Sequence, residues 1–170
     1  MTVLAAARQR ACPPPRALAA TLVLVALLGA ACGSYTKRDF VAQANAICVK
    51  AIRQTRLLPP PSNTGVSAAA ARRSLASYLA KVVPILRSEA HQLGALRRPS
   101  QGAAQRAALA RYLTALRRSV SGFDELRSAA AHGSVRGVTA AEHVLAGVPV
   151  TTFAASYGLS SCASPGATIR

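Results

Sequence analysis

Thr36-Lys37-Arg38-Asp39-Phe40-Val41-Ala42-Gln43-Ala44-Asn45-Ala46-Ile47-Cys48-Val49-Lys50-Ala51-Ile52 is the stretch that decides the fold class. Phe40, Ala44, Ile47, Cys48, Ala51 and Ile52 recur at steps of three and four, which places them on one stripe of a helix running from Lys37 to about Arg56. Thr36 or Ser34 stands where a cap is needed, and Asp39 falls in the first turn, where the helix dipole favours a negative charge. Cys48 lies on the inward face.

The chain on the C-terminal side repeats the same period. Leu57-Leu58-Pro59-Pro60-Pro61-Ser62-Asn63-Thr64-Gly65 ends the first helix, because three prolines cannot continue it and Asn and Gly favour turns. A second helix is predicted from about Ser67 to Leu96 on a stripe of Leu75, Leu79, Val82, Leu86, Leu93 and Leu96, kinked near Ala80 to Val83 by Pro84. Arg97-Arg98-Pro99-Ser100 breaks the chain. Leu109, Tyr112, Leu113, Leu116, Val120, Phe123 and Leu126 then mark a third helix ending at His132-Gly133. Ser134 caps a fourth segment carrying Val138, Ala141, Leu145, Val148 and Phe153, bent at Pro149 and stopped at Gly158. No stretch alternates with the period of a strand. The expected class is all-α: a four-helix, mostly antiparallel bundle with one disulfide, following a cleaved signal peptide.

On the N-terminal side, Arg8, Arg10 and Arg16 precede an uncharged run from Ala17 to Ala31, with no acid before Cys32. That run is shorter than the roughly 20 residues of a membrane-spanning helix and has the three parts of a secretory signal. Leu27-Leu28-Gly29-Ala30-Ala31-Cys32-Gly33 resembles the lipobox of bacterial lipoproteins, although Gly29 stands where Leu is usual. The resemblance implies diacylglyceryl attachment to Cys32, further acylation, and cleavage before it. The alternative is an ordinary secretory cut that releases a soluble protein. The domain boundaries that follow are residues 1–31 for the signal, 32–36 for the lipidated Cys and a short tether, 37–162 for the bundle and 163–170 for a flexible tail.

Export changes the reading of the cysteines. Cys12 would leave with the signal and Cys32 would carry lipid, so Cys48 and Cys162 remain in the domain. In an oxidising compartment such a pair is normally a disulfide, with a free thiol pair or a metal site as the alternatives. Residues 35–48, the segment Tyr78-Leu79-Ala80-Lys81-Val82-Val83-Pro84-Ile85-Leu86 and the closing Tyr157-Gly158-Leu159-Ser160-Ser161-Cys162 resemble uncharacterised Ala-rich helical exported proteins of high-GC Gram-positive bacteria. That resemblance implies a helical fold and an envelope location, supports the Cys48–Cys162 pairing and brings no reaction with it.

The chain holds 21 Lys and Arg against five acids, a formal +16. Nucleic acid is the usual partner of such charge, but export removes access to it, and with four Tyr and three Phe there is little aromatic surface for stacking. Anionic lipids or wall polymers are the expected partners beside the membrane itself. Three doublets, Arg72-Arg73, Arg97-Arg98 and Arg117-Arg118, are the candidate anion-binding residues.

No catalytic residues, metal ligands or cofactor are assigned. His91 and His143 stand near Glu89 and Glu142 on faces read as solvated, and His132 ends the third helix. Asp124 and Glu125 are adjacent on a helix and diverge by about 100°; Asp124 is placed to pair with Arg127. The expected function is a non-enzymatic, lipid-anchored envelope protein serving as an interaction or ligand-binding module. The rival is a small enzyme or metal carrier assembled from residues distant in sequence. A filled core with scattered Arg favours the first, and a concave pocket lined by His or carboxylates favours the second.

Overall fold

The computed structural model describes residues 35–62 and 64–164, so the signal segment, Cys32 and residues 165–170 lie outside the described residues. The elements are α1 (Lys37–Arg56), α2 (Ala68–Ala95), α3 (Ala103–Ala131), α4 (Val135–Ala146) and α5 (Val150–Tyr157), with no strand among the described residues. This is the expected all-helical bundle, and α4 with α5 make up its fourth segment.

Local chemistry sets the boundaries. At α1 the Thr36 hydroxyl accepts from the Asp39 backbone N–H at 3.2 Å, and the Asp39 carboxylate accepts from the Thr36 backbone N–H at 2.9 Å. This reciprocal capping box satisfies two donors that the first turn leaves free. The bond from the Thr36 backbone, and then the one from its hydroxyl, hold the Asp39 carboxyl below its ordinary value. The stabilisation is therefore present above the unfolded-chain value and lost as pH falls through the folded one. Thr36→Ala is expected to cost about 1 kcal/mol in chemical denaturation at neutral pH.

Ser67 and Ser134 cap α2 and α4 in the same manner, accepting from the backbone N–H groups of Ala70 and Gly137. α2 continues past Pro84, which is solvent-exposed, as is Ala80, so the hydrogen bond missing there lies on the wet side of the helix. Gly147 caps α4 and Pro149 opens α5, which turns the bend expected there into a break. Val135 to Tyr157 is long and apolar enough to cross a membrane by composition, with mean hydropathy 1.2, but this break divides it into two short helices packed on α3. Gly158 then stops α5 at φ 99°, a conformation open to Gly at little cost.

α3 is the central element, packing against α2 on one side and against α4 and α5 on the other, while α1 lies on α2. α1 is held to the C-terminal segment by side chains and by the Cys48–Cys162 disulfide, whose Cα atoms are 5.2 Å apart. Phe40 meets Tyr157 edge to face with centroids 5.8 Å apart, the Tyr157 hydroxyl donates to Gln101 at 2.8 Å, and the Ser161 backbone donates to Asn45 at 3.0 Å. Past the expected domain boundary at Cys162, the Ala163 backbone N–H and the Ser164 hydroxyl donate to the Leu159 and Ser160 carbonyls. Asp124 pairs with Arg127 at 2.9 Å as its spacing predicts, and also with Arg87 of α2 at 3.4 Å.

Candidate ligand-binding cavity

The buried side chains form two clusters, not one. The first gathers Phe40, Cys48, Leu93, Tyr112, Tyr157 and Cys162 around the disulfide, and the second is built on Leu79, Val83, Leu126 and Ala141. Both draw on α2 and α3; the first adds α1 and the C-terminal segment, the second adds Ala141 of α4, and no Cα atom of α2 comes within 8 Å of α4 or α5. The gap is a cavity of about 530 Å³, with α3 as its floor, α2 as one wall, and α4 and α5 as the other.

Apolar side chains dominate the lining. Leu75, Leu79 and Leu86 come from α2, Leu116 and Phe123 from α3, and Leu145 from α4. Gly122 allows the α3–α4 approach that places Leu145, since a Cβ at Gly122 would stand 2.8 Å from the Leu145 Cδ2 atom. A volume of this size, mainly apolar with a few polar groups, falls in the range of small-molecule binding sites.

Glu89 is the polar group that distinguishes the cavity. It lies on the inner face of α2 with 9% of its surface exposed, and among the described residues it makes no hydrogen bond or ion pair. Burial pushes its carboxyl up to about 7, because the charged form loses hydration that no partner replaces. The Tyr112 hydroxyl is raised too, first by burial and then by the negative charge of Glu89. Ser119, Thr151 and the exposed Glu142 complete the polar lining.

The face read as solvated for His91 does not include the neighbouring Glu89, which is buried. The α2 stripe continues from Leu79 through Val82 and Leu86 to Leu93, and Glu89 occupies the inward position between the last two. The signal was present in the sequence as a carboxylate at an apolar register position. His91, two residues on, is exposed as expected.

The Arg doublets do not converge as units. Arg98 and Arg117 meet, together with Arg106, along a shallow cleft of about 260 Å³. Arg118 lines a different cleft with Arg111, and Arg97 lies over the Tyr35 ring at 5.6 Å. Arg72 and Arg73 sit in the second turn of α2, where Arg73 is exposed and the Arg72 Nε is buried without a hydrogen-bond partner. Glu125 is exposed and makes no ion pair among the described residues. No group of three His, Cys, Asp or Glu among the described residues is arranged to hold a metal ion. Comparison of the chain with family models, with curated proteins and with solved structures gives no match.

Proposed function

We propose that this chain is a lipid-anchored protein of the cell envelope whose helical domain is a non-enzymatic binding module for a small, largely apolar molecule. The observation that carries the binding part is the 530 Å³ cavity between the two core clusters. The cavity leaves apolar side chains of α2, α3 and α4 open to water, and an apolar molecule seated there would cover them. The anchoring part rests on the Cys32 motif behind a short apolar run. Two acyl chains hold a protein at a bilayer stably where one gives only marginal binding.

The binding part is tested with Nile red, an uncharged apolar dye whose emission rises out of water. One dye per chain is expected, and Val120→Trp, which fills the lining from α3, is expected to abolish uptake. Saturation by multiple weak sites that ignores Val120→Trp would end the reading. The anchoring part is tested by growing an expressing bacterial host on labelled fatty acid. Label is expected on the wild type and absent from Cys32→Ala; equal labelling of both, or none in either, would remove the anchor.

A second reading is the rival enzyme or metal carrier, which a concave pocket lined by carboxylates favours on the criterion set from sequence; Glu89 and Glu142 both line the cavity. A carboxyl titrating near 7 is poised for general acid or base chemistry. No hydrogen bond joins Glu89 to a nucleophile or to a second titrating group among the described residues, so the binding reading accounts for more of the site.

A further inference from the structure

The cavity is electrostatically unlike the rest of the molecule. The chain has 21 basic residues and five acids, yet the lining contains no Lys, Arg or His and two of the five acids. Of the other three, Asp39 caps α1, Asp124 pairs with Arg87 and Arg127, and Glu125 is exposed to solvent. Glu89 therefore stays unpaired in a molecule rich in potential partners, at a position of α2 where an apolar residue would complete the stripe.

Building on the binding function above, we propose that the ligand is an apolar molecule bearing one protonated amine, its body in the Leu-lined volume and its ammonium against the Glu89 carboxylate. An isolated buried carboxylate is costly, and a cation that enters with its own apolar body supplies the missing partner without bringing water. A ligand carrying a carboxylate or phosphate would meet two acids and no base, which disfavours it by like-charge repulsion. Tyr112, Ser119 and Thr151 place hydroxyl-bearing side chains in the same lining, available to an ammonium's remaining N–H groups. The titratable groups that line the cavity with Glu89 are Tyr112 from α3 and Glu142 from α4; α5 contributes none, and Cys162 is held in the disulfide.

The test is calorimetric titration of the purified protein with dodecylamine, dodecanol and dodecanoate, which share one apolar chain and differ in head group. With Glu89 ionised at about pH 8.5, the amine is expected to bind at least about tenfold more tightly than the alcohol, as a charge-assisted bond would give, and the carboxylate most weakly. Glu89→Gln should remove the amine's advantage over the alcohol, with far-UV circular dichroism showing that the variant is folded. At about pH 5.5, where Glu89 is protonated, the wild type should lose the preference too. Equal binding of all three, tighter binding of dodecanoate, or an amine preference that survives Glu89→Gln would overturn the inference while leaving a binding module. Failure of all three to bind would overturn both.

Discussion

Replacement of Cys48 and Cys162 by Ala together is expected to lower the melting temperature by roughly 10 °C or more, the equivalent of about 4 kcal/mol in a domain of this size. The bridge spans a sequence separation of 114 residues. In the chain-entropy account, a closed loop of about 100 residues removes close to 4.7 kcal/mol of unfolded-state freedom. The native side of the balance points the same way. The backbone of α1 runs close to that of α2 alone among the described helices, so its hold on the C-terminal segment comes from this bond and from side chains, including the Phe40 and Lys37 contacts with the Tyr157 ring and the Asn45–Ser161 hydrogen bond. Circular dichroism melts of wild type, reduced wild type and the double variant measure the effect. Coincident melts would show that the bridge carries none of the stability.

The second large effect has the opposite sign. Glu89→Leu is expected to stabilise the protein by about 3 kcal/mol at about pH 8 and to leave it nearly unchanged near pH 4. The carboxyl has an ordinary value of 4.5 and a folded value of about 7. As pH rises between the two, the unfolded chain gives up its proton first and the native state holds more protons, so the wild type loses stability across that window. Above it, both states are ionised and the loss is complete. Leu cannot ionise, so the variant should not show this decline. Urea unfolding across pH measures both slopes, and parallel slopes would mean that Glu89 is solvated or paired. A residue whose removal stabilises the fold is one retained for another reason, and the reason proposed above is ligand binding.

Most of the fold was legible in the sequence because its signals are local. α1 and α2 follow stripes at helical spacing, and Thr36, Ser67 and Ser134 cap where their side chains can reach the next turn. The expectation of export left one pair of cysteines for the domain, and the structure joins that pair. The break at Gly147-Val148-Pro149 was legible as a bend, since the proline disrupts a helix without specifying how far the chain turns.

The cavity was not legible. It arises because α4 and α5 choose α3 over α2, a matter of helix packing that side-chain periodicity does not encode. Glu89 was legible only as a carboxylate at an inward register position of the Leu stripe, a signal that does not say whether a cavity lies beside it. The Arg doublets show the converse, since the members of each doublet part company in the fold and the residues that share a cleft are Arg98 and Arg117.

The central claim is that Glu89 stands alone in an apolar cavity that takes a cationic ligand. The most direct measurement follows the side-chain carboxyl carbons by NMR across pH, with and without dodecylamine. The chain contains only three glutamates, Glu89, Glu125 and Glu142, so the resonance lost in Glu89→Gln assigns the site. The predicted result is a Glu89 midpoint near 7 in the free protein that moves downward when the amine binds, as an opposite charge stabilises the carboxylate. A midpoint in the ordinary carboxylate range that is unmoved by the amine would contradict the account.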